Sequence, residues 1–163
     1  MGEDNSNESK SFLLSKEAFS LVMEYKFGPA LKKLNQAIEL EPNNAYAYCT
    51  KAFILGANRR YDQSLDLCKK ALKINSFTAE AWMIAGNDLE MLAINEEIKR
   101  DLDKAKEYHR LAKEYWMEAK SISPDIVLPF TQPLAEGQMT EDRESSYAKA
   151  SEHREGGGQK TED

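Results

Sequence analysis

Two stretches of this chain say nearly the same thing. AIELEPNNAYAY runs from Ala37 to Tyr48, and ALKINSFTAEAW from Ala71 to Trp82, 34 residues later. Each reads as the end of one helix, a polar turn, and an aromatic residue opening the next. Pro42 cannot continue a helix, and Glu41 before it is driven towards an extended conformation. Asn75-Ser76 stands where Glu41-Pro42 stood, and supplies the same stop through turn-forming side chains.

Working outward, the apolar residues between Phe12 and Ile122 fall at helical spacing. Successive stripes are Leu14, Ala18, Leu21, Val22, Tyr25; then Ala30, Leu31, Leu34, Ala37, Ile38; then Tyr48, Ala52, Leu55; then Leu65, Cys68, Ala71, Leu72. Steps of three and four mark amphipathic helices. Gly28-Pro29, Pro42-Asn43-Asn44, Gly56-Ala57-Asn58 and Asn75-Ser76 punctuate them. The chain is therefore expected to be all-α, a string of short helices whose brief connections make consecutive helices antiparallel neighbours. One such pair cannot bury its apolar face alone. Stacking equivalent pairs at a fixed period can.

The period of 34 and the residues that recur with it resemble the tetratricopeptide repeat family over roughly residues 11–126. In residues 11–44 the matching positions are Ala18, Leu21, Ala30, Leu34, Ala37 and Pro42. In 45–78 they are Tyr48, Ala52, Leu55 and Ala71, with Ser64 and Cys68 as looser matches. In 79–126 they are Trp82, Ala85, Gly86, Leu89, Ala112, Trp116, Ala119 and Pro124. Small residues sit where two helix backbones approach closely, and an aromatic fills the gap beside them. The resemblance implies an antiparallel helix-pair solenoid of three repeats.

The third repeat departs from the period. From Pro42 to Ser76 is 34 residues, but from Ser76 to Pro124 is 48. The surplus of 14 lies between Gly86 and Ala112 and divides into seven per helix, nearly two turns each. The last hairpin should thus be lengthened by about two turns per helix, projecting about 10 Å at 1.5 Å per residue, with its turn near Asn95 to Arg100. Glu96-Glu97 and Asp101/Asp103 are read as solvated charge at its tip.

The flanks differ in composition. Residues 1–10 read as a disordered acidic tail. Residues 127–139 hold Val127, Leu128, Phe130 and Leu134 between Pro129 and Pro133, which suits an extended apolar cap over the last repeat. The same segment could instead lie in the chain's own groove. Residues 140–163 read as a second disordered acidic tail.

Of 163 residues, 41% are hydrophobic and 31% charged, and the net charge is −6. Residues 1–10 and 136–163 together account for all of that charge. Residues 11–135 hold 17 acids and 17 bases. A neutral body offers no basic field for nucleic acid or for an anionic membrane surface. No apolar run approaches the ~20 residues that span a bilayer, and the N-terminus lacks an apolar signal core. The expectation is a cytoplasmic protein whose two cysteines, Cys49 and Cys68, are free thiols.

Chemistry is hard to find. The two histidines, His109 and His153, have no clustered ligands around them, and no glycine-rich phosphate loop is present. No catalytic residue, metal or other cofactor is expected, and the chain reads as a non-enzyme. In the resembled family the first helix of each repeat lines a concave groove. Carried over position by position, that groove would present Phe12, Phe19, Val22 and Met23, then Tyr46, Cys49 and Phe53, then Met83, Asn87 and Glu90, with Ser15, Glu80 and Met91 alongside. Family members that clamp the acidic tails of chaperones use Lys, Arg and Asn on these helices. Here those positions hold Ser15, Phe19, Thr50, Glu80 and Ile84. An acidic chaperone tail does not fit. The reading is an adaptor or scaffold, co-chaperone-like in architecture, that binds an apolar helical or extended peptide segment of another protein. The competing reading is a structural subunit that forms a homo-oligomer through the same apolar surfaces.

Overall fold

The computed structural model describes residues 4–126. They form six helices: α1 Asp4–Met23, α2 Phe27–Leu40, α3 Ala45–Ala57, α4 Tyr61–Ile74, α5 Ala79–Lys99 and α6 Leu102–Ile122. Each odd-numbered helix packs on the even-numbered helix that follows it, and α1, α3 and α5 also touch in succession. The expected cap at 127–139 and tail at 140–163 lie outside the described residues. At the other end, α1 begins at Asp4, so residues 4–10, read from sequence as tail, are helical.

Two kinds of turn alternate. Within each pair the turn carries one non-glycine residue in the left-handed region: Tyr25, Arg59 and Arg100, with φ of 59°, 60° and 65°. Between pairs the helix runs into one extended residue. Glu41 (φ −140°), Asn75 (φ −144°) and Ser123 (φ −133°) end α2, α4 and α6 in the same conformation. Position 59 follows 25 by 34 residues, and 100 follows 59 by 41, seven more. The extra seven residues thus enter α5, and the rest of the surplus enters α6. Both are 21 residues long, against 13 for α3 and 14 for α4. The turn falls at Arg100, at the late end of the expected range, with Asp101 capping α6 through Lys104 N–H.

The core is mostly alanine at the helix crossings. Ala18, Ala30, Ala37, Ala52, Ala71, Ala85, Ala112 and Ala119 are fully buried, which lets backbones close on one another, and Leu34, Ile54 and Cys68 fill the space between. Burying a side chain the size of Leu34 or Ile54 stabilises by about 1.5–3 kcal/mol. Ala47 and Ile54 of α3 face α1 and α2. Cys49 and Ala52 on the same helix face α4, α5 and α6. α3 is therefore buried on two sides and joins both clusters.

The first quoted junction is fastened by polar groups as well. Asn44 caps α3 by accepting from Ala47 N–H at 2.9 Å. Its amide donates back to the Ser11 and Ser15 hydroxyls of α1 at 2.8 and 3.1 Å. Ser11 in turn donates to the Ala37 carbonyl at 2.7 Å. Both serines are fully buried, so these bonds satisfy groups that water cannot reach.

Candidate functional site

The faces of α1, α3 and α5 that turn towards one another enclose a cavity of about 280 Å³. Phe19, Val22 and Met23 come from α1, and Tyr46, Cys49, Thr50 and Phe53 from α3. Thr78, Glu80, Met83 and Ile84 come from the start of α5. The i, i+3, i+4 and i+7 spacing of these residues puts them on one side of each helix. Apolar side chains remain open to solvent here. Phe19 is 45% exposed, Met23 65%, Tyr46 39% and Phe53 47%. Phe19 and Tyr46 face each other across the α1–α3 seam, ring centroids 6.3 Å apart.

Seven of the ten groove residues expected from sequence meet at this cavity: Phe19, Val22, Met23, Tyr46, Cys49, Phe53 and Met83. Val22 and Cys49 form its buried floor. The other three lie elsewhere. Phe12 is exposed further along α1, with the Lys16 ammonium 5.4 Å from its ring centroid. Asn87 accepts a hydrogen bond from the Trp116 indole N–H at 3.0 Å, which turns it towards α6. Glu90 is buried and its carboxylate lies 2.7 Å from His109 Nδ1 on α6. Ser15 is likewise withdrawn into the Asn44 network. Thr78, the N-cap position of α5, belongs to the groove although its sequence gave no sign of it. Thr50 and Ile84 occupy the positions tested above for an acid clamp.

Glu80 is the charged side chain of the lining, and it is exposed. No ion-pair partner reaches it among the described residues. Its field is felt inside the groove. Burial, and secondarily Glu80, push the Cys49 thiol up to about 12. Burial first, then Cys49 and Glu80, raise the Tyr46 hydroxyl. Cys68, buried behind, is raised by desolvation as well. Both cysteines are free and buried, and both stay protonated near neutral pH, where a thiol is a poor nucleophile.

The lengthened hairpin holds a second polar group of residues. His109 lies between Glu90 and Glu97, its Nε2 2.9 Å from the latter. Glu96 is buried and accepts from Lys99 at 2.9 Å and Lys104 at 3.4 Å. The Lys99 bond holds its carboxyl below the usual range, with Lys104 adding to the effect. Glu96 and Glu97 are thus bonded within the hairpin and are not merely solvated turn charge. Among the described residues no group of three His, Cys, Asp or Glu is placed to hold a metal ion, and no helix is long and apolar enough to cross a membrane.

Comparison with known proteins points one way. A tetratricopeptide repeat family profile matches residues 33–66. Over 80 residues the chain is 34% identical to anaphase-promoting complex subunit 3 of Schizosaccharomyces pombe, a stretch that is 49% of this chain but 12% of that protein. The chain therefore spans a small part of that relative's length. Among solved structures, the first tetratricopeptide domain of Spaghetti (RPAP3), bound to the HSP90 peptide SRMEEVD, superposes with a TM-score of 0.59 at 15% identity, covering 88% of this chain and 95% of that one. The Arabidopsis OM64 tetratricopeptide domain gives 0.52 at 22% identity, over 74% and 99%. At such identities the likeness is one of fold. The 34-residue period, the profile matched over residues 33–66 and the stacked helix pairs together show a helix-pair solenoid of the tetratricopeptide-repeat type.

Proposed function

We propose that this chain is a non-catalytic protein-interaction module that holds an apolar segment of a partner protein in the groove of α1, α3 and α5. One observation carries the reading: Phe19, Met23, Tyr46 and Phe53 are left substantially exposed, and all four surround the same cavity. Covering the exposed part of each side chain would contribute about 1–2 kcal/mol. The relatives agree in kind. The Spaghetti domain is bound to a peptide, and the yeast protein is a subunit of a complex.

The acidic peptide bound by the Spaghetti domain is not a template for this groove. The clamp positions here hold no Lys, Arg or Asn, and Ser15 is buried. The test uses a random peptide library selected on the purified chain. Selected peptides should share bulky apolar residues, and the double variant Phe19→Glu with Phe53→Glu should lose at least ten-fold in affinity while its circular dichroism is unchanged. Equal binding by the variant would place the partner site elsewhere.

A further inference from the structure

We infer that the partner segment pairs its bulky apolar residue with a neighbouring Lys or Arg, and that Glu80 at the groove rim receives that cation. The inference rests on the proposed groove function and adds the charge of the occupant.

Three observations on charge converge. Glu80 is exposed, it lines the groove, and no ion-pair partner reaches it among the described residues. The rest of the lining carries no Lys, Arg or His. The nearest cation along α1, Lys16, is held over the Phe12 ring outside the cavity. An acid in the first turn of α5 is favoured by the helix dipole. That accounts for the residue type but not for its setting beside a cavity walled by Phe19, Phe53 and Met83. There, a low-dielectric surface strengthens its attraction for a cation and its repulsion of an acid. The same arithmetic bears on chain termini. A C-terminal carboxylate would find no cation in the lining, so the occupant is not the C-terminal end of a chain.

The chain's own tail is a poor match by this criterion. Residues 126–134, IVLPFTQPL, are apolar but hold neither Lys nor Arg, and residues 136–163 carry eight acids against four bases. The charge pattern therefore favours a segment of another protein over self-occupation.

The experiment uses the full chain and synthetic peptides of about a dozen residues. Each carries Leu and Phe about one helical turn apart in a Ser/Ala background, with the flanking position set to Lys, Gln or Glu. Control peptides replace Leu and Phe with Ser. Binding is read by fluorescence polarisation against wild type, Glu80→Gln and Glu80→Lys. Lys-flanked peptides should bind wild type about three- to ten-fold tighter than Gln-flanked ones, and Glu-flanked ones more weakly still. Glu80→Gln should flatten the series, and Glu80→Lys should reverse it. If binding needs the apolar pair but ignores the flanking charge, this inference fails and the apolar groove stands. If the Ser controls bind equally well, both fail. If molecular mass rises with concentration in wild type, but not in Phe53→Glu, and peptides are excluded, the occupant is a second copy of the chain. The inference is then overturned. Circular dichroism of the Glu80 variants, whose site is exposed, checks that folding is intact.

Discussion

Between Ala45 and Ile74 two helices of 13 and 14 residues form the second hairpin, while between Ala79 and Ile122 two helices of 21 residues form the third. Each has a glycine in its first helix, Gly56 near the end of α3 and Gly86 within α5, and the neighbours differ. A Cβ on Gly56 would meet the Asp88 carboxylate of the next hairpin at 2.8 Å. A Cβ on Gly86 would meet the Trp116 indole of its own hairpin at 2.5 Å. The second hairpin spends its small residue on joining the next repeat, the third on locking itself. The groove records the result. Tyr46, Cys49 and Phe53 stay on the open face of α3, whereas Asn87 and Glu90 on α5 turn to Trp116 and His109. Those positions are closed by α6, so the groove's wall on α5 ends at Met83 and Ile84.

The largest effect is expected where the third hairpin locks. Trp116 is buried against Gly86 and donates to Asn87. Trp116→Ala should destabilise the chain by about 3–5 kcal/mol, through lost burial and an unfilled cavity. Urea denaturation measures it. A cost under about 1 kcal/mol would mean the third hairpin is not held by this contact.

Next comes the joint between the two hairpins. Asp88 is buried, and its Oδ2 has no hydrogen-bond partner among the described residues. Burial pushes its carboxyl up from 3.8 to about 7, against a smaller lowering by Ser64. A carboxyl that holds its proton more tightly when folded stabilises the fold at low pH. Its contribution is intact below the unfolded value near 4 and is lost as pH rises towards 7. Asp88→Asn, which cannot ionise, should therefore be more stable than wild type at pH 8, by on the order of 1–4 kcal/mol. The advantage should shrink as pH falls to 4. Denaturation curves at both values check the sign. An advantage that grows on acidification would contradict a raised carboxyl.

Periodicity made the helix pairs and the lengthened hairpin legible, because Ala37, Ala71 and Ala119 repeat one packing event and each extended stop follows it at a fixed distance. The groove positions come instead from the resemblance, carried over position by position, and seven of them line the cavity. Periodicity could not say which polar residues turn inward. Nothing in the apolar stripes marks Ser11, Ser15, Asp88, Glu90 or Glu96 as interior, yet all are buried. Their partners lie 26 to 33 residues away for Ser11, Ser15 and Asn44, beyond the reach of any local pattern. The family groove positions failed at Asn87 and Glu90 for a related reason. The position in the repeat does not tell that His109 and Trp116 of α6 bond Glu90 and Asn87 and draw them off the groove.

The smallest effects separate how the two hairpins begin. Asn44 opens α3 with a cap bond and two bonds to α1. Thr78 opens α5 with no side-chain cap bond, its hydroxyl donating back to the Asn75 carbonyl at 2.9 Å. Asn44→Ala should cost about 1–2 kcal/mol, since it uncaps a helix and takes a partner from two buried serines. Thr78→Ala should cost only a few tenths, as expected of a side chain without a capping bond. Asn44→Asp tells capping from cross-linking: it keeps an acceptor for Ala47 N–H but loses the amide that reaches Ser11 and Ser15. If Asp restores wild-type stability, the cap alone matters. If it is as damaging as Ala, with faster amide exchange in α1 as well as α3, then Asn44 is valued as the tie between the first two repeats, a tie that Thr78 does not provide between the second and third.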